Sequence, residues 1–160
     1  MPPSRLALKQ KTLLPRAWPP SPKKPKNECA LIALDTNLLA RLLLQDDAAQ
    51  YKKVKALFET RQIFTAPVTV MLELVWVLES NGIDPARIAS GLTALLNLPN
   101  FKPERIDALQ KAVRNYTAGI GFADALHLAL SAGEQKFITF DKAFVRQAKK
   151  LGLEPEVLTP

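Results

Sequence analysis

Cysteine and histidine are almost missing from this chain of 160 residues: Cys29 and His127 each stand alone. A single thiol forms no internal disulfide, and one Cys with one His falls short of the four ligands of a structural zinc site. The same scarcity argues against nucleophile triads and paired-histidine acid–base schemes. Only six glycines are present, which excludes a collagen-like chain, and no internal repeat is found. Long hydrophobic runs are missing too. The apolar stretches are interrupted by Asp35, Glu73 or Asp124 well before the ~18 residues of a membrane helix. Residues 1–26 contain no apolar piece longer than Leu6 to Leu8, too short for the core of a secretory signal. A cytoplasmic protein with no membrane association is therefore expected.

What is present is enough for one core. Hydrophobic residues make up 48% of the chain, and the length suits a single domain. The formal charge of +7 sits in one place. Residues 1–26 carry Arg5, Lys9, Lys11, Arg16, Lys23, Lys24 and Lys26 without an acid, leaving 15 basic residues against all 15 acidic ones in the rest. The same stretch holds seven of the 13 prolines, which remove backbone donors and disfavour helix before them. Residues 1–28 are thus expected to be a disordered, basic, proline-rich tail, with a folded domain over residues 29–160. The tail reads as a solvated spacer, as a non-specific holder of RNA phosphates, or as an artefact of a start codon placed upstream of about Leu31.

Within the domain, short apolar runs alternate with helical periods. Residues 30–34 fit a buried strand ending at Asp35, and residues 63–65 a second one. Residues 137–140 form a third, and Val157 with Leu158 an edge strand. Helices are expected over residues 37–44, 46–60, 68–80, 85–96, 104–116, 122–132 and 142–151. Asn81-Gly82, Gly133 and Gly152 supply stops, and Asp84-Pro85 a start. Residues 68–80 are apolar almost all round, which predicts a buried helix. This alternation implies an α/β fold with a central, mostly parallel sheet flanked by helices.

Four acids stand out against this background. Glu73 lies in Val70-Met71-Leu72-Glu73-Leu74-Val75-Trp76 and Asp124 in Phe122-Ala123-Asp124-Ala125-Leu126, with almost nothing polar one helical turn away. A buried, unpaired carboxylate costs several kcal/mol, so each needs compensation. Asp35 and Asp141 each follow an apolar strand and precede a helix, the junction at which open parallel sheets place ligands. Converging in one cleft, the four would repel one another unless a cation intervened. Oxygen-only ligands favour Mg2+ or Mn2+ over zinc. Plainer readings stand beside this: Asp35 and Asp141 as helix N-caps, Glu73 as a hydrogen-bonded core acid, Asp124 as a partner of His127. Thr36, Asn37 and Thr139 suit both turn chemistry and the orientation of acids or phosphate. Lys52, Lys53, Lys55, Arg146, Lys149 and Lys150 read as solvated helix faces rather than an RNA track.

At these residues the sequence resembles the PIN-domain ribonucleases, most closely the VapC-like toxins of type II toxin–antitoxin modules. The resemblance spans residues 31–159. It is carried by Ile32-Ala33-Leu34-Asp35-Thr36-Asn37, by the segments around Glu73 and Asp124, and by Thr139-Phe140-Asp141, four motifs in order. It implies a PIN-like three-layer fold and a metal-dependent endoribonuclease with catalytic Asp35, Glu73, Asp124 and Asp141. Asp35 and Asp124 would be the primary ligands of Mg2+ or Mn2+. RNA substrate, a cognate antitoxin and a homodimer are also implied. Many relatives carry a further acid three residues before the third one, where this chain has Gly121. One rival is a non-catalytic PIN-like module acting through an antitoxin complex. Another is an aspartyl phosphatase, disfavoured because Asn37 stands where a second aspartate would be expected.

Overall fold

Helix caps mark where the chain changes direction, and among the described residues three of the seven N-caps, Asp35, Asp84 and Asp141, are residues the sequence nominates. The computed structural model describes residues 31–160; the tail expected over residues 1–28 lies outside the described residues. The described chain falls into two compact units that part between Glu104 and Arg105.

The first unit opens with β1 (Ile32–Ala33), followed by α1 (Thr36–Leu44) and α2 (Ala48–Phe58). Asp35 caps α1 by accepting the Leu38 N–H at 2.9 Å, and Asp47 caps α2 by accepting that of Gln50 at 2.9 Å. Next come β2 (Phe64–Thr65), α3 (Val68–Ser80) and α4 (Pro85–Leu96), the last capped by Asp84 with proline at its first position. Strands β1 and β2 pair in parallel, Ile32 opposite Phe64 and Ala33 opposite Thr65. Residues beyond α4 run beside β2, the Phe64 N–H donating to Asn100 O and the Lys102 N–H to Phe64 O. The core gathers Phe58, Phe64 and Phe101, with ring centroids 5.0 and 6.2 Å from that of Phe58. Asn100, buried beside them, donates through Nδ2 to Phe58 O at 2.9 Å, so its polar group is satisfied.

The second unit contains α5 (Ile106–Thr117), α6 (Phe122–Leu130), β3 (Lys136–Ile138), α7 (Lys142–Lys150) and β4 (Glu156–Leu158). Helices α5 and α6 pack together, with Tyr116 edge-on to Phe122 at 5.7 Å. Strands β3 and β4 pair in parallel, Phe137 opposite Val157, so β4 takes the edge position expected of Val157 and Leu158. Gly152 at φ +61° ends α7, its N–H reaching Lys149 O while that of Leu153 reaches Ala148 O. This double closure needs a left-handed residue, which glycine supplies without a Cβ penalty.

Helices and parallel strand pairs make this an α/β fold. Each sheet is small, two strands among the described residues, where a larger central sheet was expected. Two further expectations are corrected. Strand β1 is not buried, since Ile32 and Ala33 are exposed and only Leu34 beyond it is covered. Helix α3 is not buried all round: Met71, Leu74, Val75 and Leu78 form its covered stripe, while Thr69, Glu73, Trp76 and Ser80 face outward. Among the described residues no helix is long and apolar enough to cross a membrane.

Candidate active site

Asp35 and Glu73 belong to the first unit. Asp35 ends the run that begins with β1, and its Oδ1 is taken by the α1 cap. Its Oδ2 makes no hydrogen bond among the described residues. The next residue, Thr36, is buried, and its hydroxyl donates to Glu73 Oε2 at 2.5 Å across 37 positions of sequence. Packing of α1 against α3 makes this contact possible. The first two motifs are thereby brought to one place. The Glu73 side was expected to be a buried carboxylate in need of compensation. The structure corrects this: Glu73 stands on the exposed stripe of α3, open to solvent and held by one neutral hydroxyl. A carboxylate in this position keeps Oε1 available to water or a cation.

Asp124 and Asp141 belong to the second unit. Asp124 sits half-buried in the first turn of α6, where the unpaired N–H groups of the helix favour negative charge. Gly121 is the N-cap of that helix and offers no side-chain cap. A Cβ added there would lie 3.5 Å from Asp124 Oδ2, an ordinary contact distance. His127 is exposed, and among the described residues it shares no ion pair with Asp124. Asp141 caps α7, Oδ1 accepting from Ala143 N at 2.8 Å and Phe144 N at 2.9 Å. Thr139 Oγ1 accepts the Asp141 N–H at 3.1 Å, which fixes the turn between β3 and the helix. The cap readings of Asp35 and Asp141 are therefore correct as far as they go. Each uses one carboxylate oxygen and leaves the other.

Within neither unit do three or more His, Cys, Asp or Glu side chains of the described residues come close enough to hold an ion together. The donor chemistry nevertheless suits a hard divalent cation. Every candidate is a carboxylate, each retains an oxygen without a hydrogen bond among the described residues, and all are exposed or half-buried.

Two features escaped the sequence. Trp76, one turn from Glu73, is 66% exposed, and Phe140, next to Asp141, is 86% exposed. A signal for the first existed. Thr69, Glu73 and Ser80 recur at spacings of four and seven residues, a polar stripe hidden by the apolar count of the segment.

A family model for the PIN domain matches residues 32–150, well over half the chain and across all four motifs. PIN domains are generally nucleases and typically bind divalent metals. Comparison with curated proteins and with solved structures returned no match.

Proposed function

Because this chain belongs to the PIN domain family, we propose that it is a divalent-metal-dependent endoribonuclease and the toxin of a toxin–antitoxin pair. The observation that carries the reading is the Thr36–Glu73 hydrogen bond, which joins the first two acidic motifs of a four-motif pattern. The other two acids are nominated by their order in the chain and by their places at the N-termini of α6 and α7.

Asp35 and Asp124 would hold Mg2+ or Mn2+ through carboxylate oxygens. When bound, such an ion lowers the pKa of its water and offsets charge developing on the phosphate. Glu73, steadied through Oε2, presents Oε1 to the attacking water and takes up its proton. Asp141, anchored by two backbone N–H groups, keeps Oδ2 for a further water. Thr139 holds the turn that aims it. An RNA substrate, a cognate antitoxin and a homodimer belong to the same proposal, as does a cytoplasmic location. Residues 1–28 are taken as a spacer dispensable for folding and cleavage.

The test is incubation of antitoxin-free protein with a mixed pool of structured RNAs in Mg2+, in Mn2+ and in chelator. Discrete cuts in either metal and none in chelator support the proposal. Folded protein that binds metal and leaves every RNA intact contradicts it and favours the non-catalytic module.

A further inference from the structure

Helix α7 carries a surface that none of the candidate acids uses. Lys142, Arg146 and Lys149 follow the i, i+4, i+7 spacing that gathers side chains on one face, with Lys150 beside them, and all four are exposed. Phe144 and Ala148 are the buried positions. Among the described residues none of the four cations is ion-paired, and no acid follows the Asp141 cap within the helix. By itself such a face is ordinary solvated surface, and Lys149 and Lys150 also offset the helix dipole in the last turn.

The second observation is Phe140. At 86% it is the most exposed large apolar side chain among the described residues, and it immediately precedes Asp141. It has no part in the core beneath, where Phe137 and Phe144 already meet edge to face at 5.9 Å. Proteins hold single-stranded nucleic acid by pairing cations with the phosphates and stacking unpaired bases on aromatic rings. An open ring two residues before Lys142, the first cation of the face, supplies both elements. A duplex, whose bases are stacked on one another, would offer Phe140 nothing.

We propose that Phe140 and the Lys142–Arg146–Lys149 face of α7 bind single-stranded RNA, Phe140 stacking on one base and the cations contacting backbone phosphates. This rests on the nuclease reading for its biological sense, because it seats an unpaired nucleotide next to Asp141. It is tested apart from cleavage. Full-length protein in chelator is titrated into a fluorescently labelled, unstructured oligoribonucleotide, and into the same strand annealed to its complement, over a series of salt concentrations.

The single strand is expected to bind more tightly than the duplex. Phe140→Ser should weaken single-strand binding by roughly ten-fold, the scale of one lost stacking contact, while Phe140→Tyr retains it. The combined Lys142→Gln, Arg146→Gln, Lys149→Gln variant should reduce the slope of log affinity against log salt by about 2, at roughly 0.7 per phosphate contact. Equal affinity for both forms, or no effect of Phe140→Ser in protein of unchanged circular dichroism, overturns the proposal. So does a salt slope that survives the triple variant and disappears on deletion of residues 1–28, which would assign phosphate binding to the tail. Single-strand binding as expected without cleavage in metal leaves this surface standing and removes the nuclease reading. Cleavage with no effect of Phe140→Ser does the reverse.

Discussion

Asp35 accepts the Leu38 amide, and Asp141 those of Ala143 and Phe144, so a substitution at either position has two separable effects. Asparagine caps a helix about as well as aspartate, whereas alanine leaves the first N–H groups without a partner. Asp141→Ala is therefore expected to cost about 1 kcal/mol in denaturant unfolding and Asp141→Asn much less, with cleavage impaired in both. Equal destabilisation by the two would show that the cap is not what Asp141 contributes to the fold. Thr36 can be separated in a similar way. Thr36→Val keeps the shape of a buried side chain and removes the hydroxyl that Glu73 accepts from; Thr36→Ser keeps the hydroxyl. Because Glu73 is exposed and regains water, the valine variant should lose only about 1 kcal/mol of stability. Its kcat should fall roughly ten-fold with KM little changed, and serine should restore it. A KM effect alone would mean that Thr36 serves substrate binding rather than the placement of Glu73. At Gly121 the gain is expected to be positive. An aspartate there supplies the cap that α6 lacks and places a second carboxylate near Asp124 Oδ2. Gly121→Asp should raise stability by a few tenths of a kcal/mol and tighten Mn2+ binding in a calorimetric titration; weaker binding would contradict the assignment of Asp124 as a ligand.

The elements differ in how much of their setting the sequence reveals. Helix α4 is announced by Asp84-Pro85, and the ends of α3 and α7 by Gly82 and Gly152, because caps depend on local chemistry that a short window contains. Both glycines adopt positive φ, so Gly152→Ala is expected to destabilise the fold by about 1 kcal/mol through its left-handed backbone, read as a lower denaturation midpoint. Exposure is harder to read. Residues 68–80 contain so many apolar side chains that periodicity is nearly lost, and the stripe Thr69, Glu73, Trp76, Ser80 is visible only when Trp is not counted as core. Strand β1 misleads in the same direction. Its apolar residues predict burial, yet two strand residues pair with β2 along one edge only among the described residues, leaving Ile32 at 45% exposure. Hydropathy reports what a residue prefers, while exposure depends on neighbours that arrive from distant sequence. The Thr36–Glu73 contact shows the same limit: each partner was identifiable as a candidate, but their meeting depends on α1 packing against α3.

For the molecule as a whole, the order of the four acidic motifs was the most informative feature of the sequence, and a single family model runs through all of them. The positive net charge of the chain is less informative about residues 27–160, since residues 1–26 account for the whole excess. Deleting residues 1–28 is accordingly expected to leave the thermal midpoint and metal-dependent cleavage unchanged. The central claim is that a carboxylate set on a PIN domain cleaves RNA with a divalent ion, and Asp35→Asn tests it most directly. The substitution preserves the α1 cap and removes the charge that would hold the ion. The decisive measurement is the rate at which Asp35→Asn cuts a substrate RNA in saturating Mg2+, beside wild-type protein purified identically. The account predicts a fall of at least about a hundred-fold, the scale of losing a group that stabilises transition-state charge, in a protein whose unfolding midpoint is unchanged. Undiminished, chelator-sensitive cleavage by this variant would contradict it.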